Sequence, residues 1–230
     1  MKRLCIIPAR SGSKRIPKKN TRNFLGKPII AYSIETALNS GVFDEVMVST
    51  DDVEIAEIAK SYGAKVPFYR SKENADDFAT TFDVIHEVIA EYQKIQTHFD
   101  QACCFYATAP LVRAKSINDA FSLLEKNSFD TVFPAIRFGF PIQRAIKIDD
   151  KQKMSLIAPE YEQTRSQDLQ PAYHDAGQFY VFNIKNVLNK GKLWTDNTGI
   201  IEISENNAQD IDNEVDWQLA ELKYQLNPNN

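Results

Sequence analysis

The 230-residue sequence is poor in cysteine and histidine, with three of each. Cys5, Cys103 and Cys104 lie in apolar, strand-like segments, and an adjacent pair is poorly placed for an ordinary disulfide. We therefore expect buried, reduced thiols. The histidines show no paired spacing with cysteine, which argues against a structural zinc site.

Long apolar runs are also absent. No stretch approaches the ~18 residues that a membrane span requires. Pro8 and Arg10 interrupt the N-terminal apolar segment before it could serve as a signal peptide. The net charge of -4 argues against nonspecific binding to nucleic acid. These absences predict a cytoplasmic globular protein with neither a membrane nor a nucleic acid as its partner.

Two common nucleotide-binding signatures are missing as well, because neither G-x-x-x-x-G-K-[ST] nor G-x-G-x-x-G follows the first strand. A basic run from Ile7 to Asn20 stands there instead. Small residues in this run let backbone N–H groups approach an anion, and cations can neutralise it, namely Ser11, Gly12 and Ser13 with Arg10, Lys14, Lys18 and Lys19. We expect a nucleoside triphosphate to bind here.

The bland alternative for this run is a basic surface loop or a nuclear-import tract. Three features weaken it. The run abuts an apolar strand, contains two prolines, and leads into Phe24–Pro28, which has the composition of packed structure.

Strands and helices alternate along most of the chain. Strands are predicted at Arg3–Pro8, Glu45–Thr50, Lys65–Tyr69, Ala102–Ala107, Thr131–Ile136 and Gly177–Ile184. Helices are predicted from Pro28 to Gly41, Asp51 to Gly63, Thr81 to Gln96, Ala114 to Lys126 and Val215 to Leu226. This order predicts an α/β, Rossmann-like three-layer sandwich around a mainly parallel sheet, with ligands beyond the carboxyl ends of the strands.

Two helix details can be checked directly. Asp51, with Glu54 three residues later, resembles a capping box, so we expect Asp51 to cap its helix. In the last helix Leu219, Leu222 and Leu226 are aligned on one face, which predicts that this face is buried.

The regular alternation of predicted strands and helices stops from Phe138 to about Ala176. A hairpin-like pair around Asp149–Lys151 leads into a polar segment, Tyr161 to His174, without clear periodicity. We interpret residues 138–176 as an arm inserted into a single domain that spans residues 1–230.

Asp210-Ile211-Asp212 is the second informative motif. In an extended segment residues i and i+2 point the same way, so both carboxylates can face one site while Ile211 faces the core. Such a pair suits Mg²⁺, which binds one or two carboxylates together with substrate phosphates. The alternative, which stays open at this point, is that Asp212 or Asn213 caps the last helix.

Four segments together resemble the acylneuraminate cytidylyltransferase family: the N-terminal run, Val48–Asp52, Ala107–Pro110 and Gln209–Asp212. The resemblance covers nearly the whole chain and implies the nucleotide-diphospho-sugar transferase type of fold. Three longer runs are similar to the branch of the family that uses pseudaminic acid, namely Phe140–Ala145, Thr164–Leu169 and Pro171–Tyr180. Tyr106 stands where sialic acid enzymes of the family commonly carry glutamine, which argues against N-acetylneuraminate.

The resemblance implies an enzyme in which the anomeric hydroxyl of a nine-carbon 2-keto sugar acid attacks the α-phosphorus of CTP, releasing pyrophosphate. It implies CTP contacts from Arg10, Ser11, Gly12, Lys14, Lys19, Asn20, Arg70, Ala79 and Thr81. Lys19, Arg10 and Asp210 are implied as catalytic, and Asp210 and Asp212 as Mg²⁺ ligands. It also implies a homodimer in which the arm, residues 138–176, reaches the partner.

Candidate contacts to the sugar acid follow from its chemistry, since a carboxylate favours arginine and acylamino groups favour mixed donors and acceptors. They are Tyr106, Gln143, Arg144, Arg165, Gln167, His174, Asp175 and Gln178. Alternatives within the fold are enzymes for legionaminic, N-acetylneuraminic or 3-deoxy-octulosonic acid, and a sugar-1-phosphate nucleotidyltransferase. The alternative of another class is a non-catalytic anion-binding module.

Overall fold

The computed structural model describes residues 1–76 and 78–226. Its strands are β1 (Arg3–Pro8), β2 (Asn23–Phe24), β3 (Lys27–Pro28), β4 (Glu45–Ser49), β5 (Gln101–Phe105), β6 (Thr131–Arg137), β7 (Ile146–Ile148), β8 (Met154–Leu156), β9 (Tyr173–Asp175), β10 (Phe179–Asn183) and β11 (Thr198–Glu202). Its α-helices are α1 (Ile29–Ser40), α2 (Val53–Ser61), α3 (Thr81–Lys94), α4 (Ala114–Asn127), α5 (Ile184–Lys190) and α6 (Glu214–Leu226).

A seven-stranded sheet organises the chain in the order β11-β6-β10-β5-β1-β4, with β9 also paired to β6. β1 is parallel to β4 and β5, and β11 is parallel to β6. β10 runs antiparallel to both β5 and β6, and β9 is antiparallel to β6. The prediction of a mainly parallel sheet is confirmed.

The sheet is buried on both faces, because alternate residues of its strands enter two separate apolar clusters. Cys5 and Ile7 of β1 pack with α1, α2 and α4, whereas Leu4 and Ile6 pack with α3 and α5. The three-layer sandwich is therefore confirmed. The same alternation places Cys103 and Cys104 on opposite faces of the sheet. All three cysteines are buried, free thiols, as predicted.

A third apolar cluster joins α6 to the basic run after β1. Ile16 from that run, Ile211 from the acidic segment and Trp217 from α6 are all buried in it. The buried face of α6 therefore carries Trp217 and Ala220, and the prediction for the face of Leu219, Leu222 and Leu226 is wrong, since all three are exposed. Periodicity located an apolar stripe, but the larger Trp217 ring occupies the interior.

The structure corrects two further local predictions. Lys65–Tyr69 is not a strand, because it makes one isolated bridge between Met47 and Lys65. Pro67, which has no N–H to donate, interrupts further pairing. Asp52, not Asp51, caps α2 by accepting a hydrogen bond from the Ile55 N–H at 3.0 Å.

The arm lies between β6 and β9. Its hairpin, β7 with β8, is confirmed around the predicted turn. The rest consists of short 3-10 turns at Ile142–Arg144, Pro159–Tyr161 and Ser166–Asp168. The arm rejoins the main sheet at β9, where Asp175 pairs with Ala135. Four strands and one α-helix were not predicted from the sequence, namely β2, β3, β9, β11 and α5.

None of the helices in residues 1–76 and 78–226 has both the length and the apolar composition that a bilayer crossing requires.

Gly199 in β11 is expected to tolerate no larger residue. A Cβ atom at this position would lie 2.5 Å from Cε2 of Phe129. We expect Gly199→Ala to lower the free energy of unfolding by about 1–3 kcal/mol through overpacking, as measured by urea denaturation. Adding Phe129→Ala should make the double variant less destabilised than the sum of the single ones. The control is Gly139→Ala, where an added Cβ meets nothing within 4 Å; equal effects at both glycines would contradict the argument.

Candidate active site

A cavity of about 480 Å³ opens at the carboxyl ends of β1 and β5, the edge predicted for ligand binding. Its size lies within the range of about 300–1,000 Å³ typical of ligand pockets. Four segments line it: Pro8 to Asn20, Arg70 to Ala79, the start of α3, and the chain after β5. The lining residues are Pro8, Arg10, Ser13, Lys14, Arg15, Ile16, Lys19, Asn20, Arg70, Asn74, Asp76, Ala79, Thr80, Thr81, Val84, Tyr106, Ala107 and Thr108.

The basic run is held in shape by hydrogen bonds to its own backbone. Asn20 donates from Nδ2 to the Arg10 carbonyl at 2.9 Å, so it closes the run into a loop. Lys18 has a φ of 50°, and its carbonyl accepts from the N–H groups of Thr21 and Arg22, both at 2.9 Å. Lys18 itself pairs with Glu54 at 2.8 Å. The loop is thereby fixed at both ends before any ligand binds.

Cations dominate the lining of this cavity. Arg10, Lys14, Arg15, Lys19 and Arg70 all contribute to it. The amino-terminal end of α3, with Thr80 and Thr81 in the wall, adds the partial positive charge of a helix dipole. The arrangement attracts an anion with several charges, as a triphosphate has.

Arg70 supplies a buried positive charge, because only 8% of the residue is exposed. It donates from Nε to Ser49 Oγ at 3.0 Å and from Nη2 to the Ser49 carbonyl at 2.6 Å. Burial lowers the pKa of its guanidinium, and the nearby Asp51 carboxylate opposes that shift. The end of β4 therefore presents a rigid cation to the cavity.

The second acidic motif lies against the loop. Lys19 donates from Nζ to the Ile211 carbonyl at 2.6 Å, and the same Nζ is 4.0 Å from Asp212 Oδ1. Arg15 binds Asp212 Oδ1 at 2.7 Å. Burial lowers the pKa of Lys19, while burial and the Asp212 carboxylate raise the pKa of Asp210. Acidic and basic groups thus meet at one end of the cavity.

Asn213, rather than Asp212, caps α6. Its Oδ1 accepts from the N–H groups of Val215 and Asp216, at 2.9 and 3.1 Å. Asp216 reaches back to the N–H groups of Asp212 and Asn213, at 2.9 and 3.0 Å. Of the two helix caps that the sequence allowed, Asn213 is therefore the correct one. The Asp212 carboxylate faces Arg15 and Lys19 instead of the helix.

Asp210 and Asp212 fit a divalent cation of the Mg²⁺ type. They offer carboxylate oxygens on either side of Ile211, which is fully buried and anchors the segment. Among residues 1–76 and 78–226 no group of three or more His, Cys, Asp or Glu side chains forms a closed cage. An open pair is what Mg²⁺ uses when phosphate oxygens and water complete its coordination.

These features match known proteins. The family model for cytidylyltransferase matches residues 4–189. The chain belongs to this family. It is 44% identical over 227 residues to the pseudaminic acid cytidylyltransferase of Campylobacter jejuni, with 99% of this chain and 98% of that protein covered. It is 34% identical to the CMP-N,N'-diacetyllegionaminic acid synthase of Legionella pneumophila, with 99% and 98% covered.

Solved structures share the fold of this cytidylyltransferase. A CMP:2-keto-3-deoxy-manno-octonic acid synthetase complexed with CTP aligns with a TM-score of 0.70 at 17% identity, covering 99% of both chains. The 4-diphosphocytidyl-2C-methyl-D-erythritol synthase of Anaerococcus prevotii aligns with a TM-score of 0.66 at 14% identity, covering 97% of this chain and 98% of that one. These structures show the fold, and the family match with the curated relatives shows that the chain is a nucleotidyltransferase.

Most of the CTP contacts expected of a cytidylyltransferase line the cavity: Arg10, Lys14, Lys19, Asn20, Arg70, Ala79 and Thr81. Ser11 and Gly12 do not. Ser11 lines a smaller neighbouring cavity and donates from Oγ to Asp51 Oδ2 at 3.3 Å. Asp51, which was expected to cap a helix, therefore steadies the loop.

The expected sugar contacts divide into two groups. Tyr106 lines the cavity, Asp175 is the last residue of β9, and Gln178 lies in the turn between β9 and β10. Gln178 is buried and donates from Nε2 to the Asn207 carbonyl at 2.6 Å. His174 packs its ring on Phe138 with 4.9 Å between centroids.

The other group lies in the arm and lines no part of this cavity in the same chain. Gln143 donates to the Gln170 carbonyl at 2.9 Å, and Arg144 to the Thr164 carbonyl at 2.5 Å. Arg165 pairs with Asp168 at 2.7 Å. Gln167 lines a second, open cavity that belongs to the arm.

Several cavity residues of this cytidylyltransferase were missed from the sequence. They include Arg15, Asn74, Asp76, Thr80, Val84 and Thr108, whereas Ser13 was expected as part of the basic run. Thr80 carried a usable signal, because Thr80 and Asp83 form a capping box at the start of α3. Asp76 accepts from the N–H groups of Phe78 and Ala79, both at 2.8 Å, a turn typical of aspartate. Arg15 carried no such signal, since its partner Asp212 is distant in sequence.

The raised pKa of Asp210 predicts a stability cost at neutral pH. A carboxyl group with a higher pKa in the folded state contributes stability below its unfolded pKa, and this contribution is lost as pH rises through the folded pKa. We expect Asp210→Asn to melt at a higher temperature than the unchanged, ligand-free protein at pH 7. The difference should shrink as pH falls towards about 4, the ordinary carboxyl value.

Thermal melts across this pH range, in buffer with a metal chelator, measure the effect. Asp150→Asn, in the exposed turn of the β7–β8 hairpin, is the matched control and should change the melting temperature little at any pH. A lower melting temperature for Asp210→Asn at pH 7 would show that the attraction of Lys19 outweighs burial.

Proposed function

We propose that this chain couples CTP to pseudaminic acid, a nine-carbon 2-keto sugar acid, giving CMP-pseudaminic acid and pyrophosphate. The observation that carries the proposal is a cationic cavity in which the lining residues Lys19 and Arg15 contact the segment Asp210–Asp212. It is supported by the 44% identity, over 227 residues, to a pseudaminic acid cytidylyltransferase. The anomeric oxygen of the sugar forms a bond to the α-phosphorus, and the bond from that phosphorus to the β-phosphate oxygen breaks.

Lys19 is the residue to which we assign stabilisation of the charge that develops during transfer. Its Nζ is already oriented by the Ile211 carbonyl, so little reorganisation accompanies the reaction. Arg10 and Lys14 bind the triphosphate, and Asn20 holds the loop in shape. Ser11 and Gly12 lie outside the cavity lining, and the Ser11 N–H donates to Asp51 Oδ1 at 3.4 Å, so we assign both residues to the shape of the loop. Arg70, Ala79 and Thr81 form the cytidine side of the cavity.

Asp210 and Asp212 are the residues that would hold Mg²⁺. Bound there, the ion screens the negative charge of the triphosphate. Arg15 and Lys19 both contact the Asp212 carboxylate, so a bound triphosphate would compete with Asp212 for the same two cations.

A homodimer completes this proposal. The arm exposes an unusual number of large apolar side chains, which marks an interaction surface: Phe138, Phe140, Ile142, Ile146, Ile148, Met154 and Ile157. Two buried polar atoms of the arm, Gln143 Oε1 and Arg144 Nε, have no hydrogen-bond partner within the described part of the chain. We assign Gln143, Arg144, Arg165 and Gln167 to the sugar site of the partner subunit, and Tyr106, His174, Asp175 and Gln178 to the site of their own.

On this view residues 1–230 act as one nucleotidyltransferase domain, with residues 138–176 as its arm. We place the reaction in the cytoplasm, where CTP is made and where the three buried cysteines stay reduced.

Pyrophosphate release from CTP and Mg²⁺ tests the function, with pseudaminic, legionaminic, N-acetylneuraminic and 3-deoxy-octulosonic acids in separate reactions. We expect turnover with pseudaminic acid above the other three. Lys19→Ala should fold and lose roughly 10²–10³ in turnover, the scale of one lost electrostatic stabiliser. Preference for legionaminic acid, which the second relative favours, would keep the reaction and change the substrate. Silence with all four acids in a folded sample would leave an anion-binding module.

Oligomeric state tests the dimer. We expect the protein to sediment as a dimer at micromolar concentration, and Ile148→Asp with Met154→Asp to give a monomer with impaired turnover, because both side chains are exposed in the arm. Leu222→Asp is the matched control, since Leu222 is as exposed but lies on α6. A monomeric parent protein that is fully active would contradict the assignment of arm residues to a partner's site.

A further inference from the structure

Four side chains lead from the cavity wall into the interior, towards the turn beside the acidic motif. Tyr106 Oη lies 3.3 Å from Thr81 Oγ1 in the cavity wall. The Tyr106 ring meets the Tyr180 ring edge to face, with 5.8 Å between centroids. Tyr180 then donates a short hydrogen bond from its hydroxyl to Asp175 Oδ2. These contacts form a continuous set of four residues, namely Thr81, Tyr106, Tyr180 and Asp175.

The turn that follows Asp175 lies next to the acidic motif. Its Oδ1 accepts from the Gly177 N–H at 2.9 Å, and Gly177 has a φ of 64°. A Cβ atom at Gly177 would lie 3.4 Å from Asp210 Cγ. The turn that Asp175 stabilises thus packs directly against one of the two carboxylates assigned to the metal.

Tyr180 is the member of the set that contacts both sides. It is 5% exposed and is fixed from behind by Phe133, with 5.6 Å between ring centroids. Burial raises the pKa of Tyr180, so the phenol keeps its proton at working pH. A neutral, immobile donor holds one oxygen of Asp175, and Gly177 holds the other. Each oxygen retains a lone pair that a hydroxyl or amide N–H of a ligand can use.

We propose that Tyr180 is a positioning residue for the sugar acid, orienting Asp175 with its hydroxyl and Tyr106 with its ring. The inference rests on the proposed function, because it treats Asp175 and Tyr106 as sugar contacts. Tyr180 does not line the cavity itself. Its effect on the reaction is transmitted through the two residues that it holds.

The competing explanation is that Tyr180 and Asp175 are a structural pair of the core. The chain offers a matched case, since Tyr92 also donates to a carboxylate, Glu45 Oε1 at 2.5 Å, and packs in the same apolar cluster as Tyr180. Tyr92 is 2% exposed and does not line the cavity. Removing the hydroxyl of Tyr180 or of Tyr92 deletes the same kind of hydrogen bond, from a phenol to a carboxylate. Of these two tyrosines, Tyr180 is the one in contact with Tyr106 of the cavity lining.

The experiment compares Tyr180→Phe with Tyr92→Phe in steady-state kinetics, using the sugar acid that the parent protein turns over fastest. We expect Tyr180→Phe to raise KM for the sugar acid roughly tenfold, the scale of one hydrogen bond to a charged group, with KM for CTP within about twofold. Tyr92→Phe should change neither KM, although both variants lower the melting temperature. In an Asp175→Asn background, Tyr180→Phe should raise KM little further, because the two residues act as one unit.

Three results would overturn the proposal. These are an unchanged KM for the sugar acid in Tyr180→Phe, an equal rise in Tyr92→Phe, and fully independent effects of Tyr180→Phe and Asp175→Asn. Turnover with another acid changes the substrate but leaves this comparison intact. If no acid is turned over, the proposed function and the role of Tyr180 both fail. If an acid is turned over and the kinetic comparison fails, only the role of Tyr180 is wrong, so the two failures are distinguishable.

Discussion

The hydrogen bond from Lys19 Nζ to the Ile211 carbonyl is the contact on which the site depends, because it joins the basic loop to the acidic motif. The bond is held by apolar packing beneath it. Ile16 of the loop, Ile211 between the two carboxylates and Trp217 of α6 are buried in one cluster. Arg22 adds to this packing, because its guanidinium lies 4.5 Å from the centroid of the Trp217 ring and binds Glu214 at 2.7 Å. A surface helix thereby fixes the position of a residue inside the cavity.

The same packing concentrates charges that oppose one another. Burial makes the charged form of Lys19 less favourable, and burial together with Asp212 does so for Asp210. Burial lowers the pKa of Lys19 and raises that of Asp210, and the opposite charges of Lys19 and Asp210 counteract both shifts within one short stretch of the site. Natural proteins commonly keep such locally unfavourable arrangements where activity depends on them.

The sequence was sufficient where a local pattern determines the structure, and insufficient where distant contacts do. The alternation of strands and helices along the chain predicted the sheet correctly, and the small and basic residues after β1 predicted the loop that lines the cavity. The face of α6 was predicted wrongly, because an aligned stripe of leucines cannot show which side a tryptophan will occupy. Arg15 was missed because its partner Asp212 lies far along the chain. The sequence also left open whether Asp212 or Asn213 caps α6, and the structure shows that Asn213 does.

The reversed direction of β10 has a further consequence. Because Phe179 at its start pairs with Phe105 at the end of β5, the turn before β10 emerges at the same edge as the loop after β1. A strand parallel to its neighbours would have delivered that turn to the opposite edge. The chain can therefore pass from the arm to the reaction centre in a few residues, while the nucleotide loop remains attached to separate strands. The arm and the loop after β1 are thereby attached to different strands, so a substitution in one need not alter the backbone of the other.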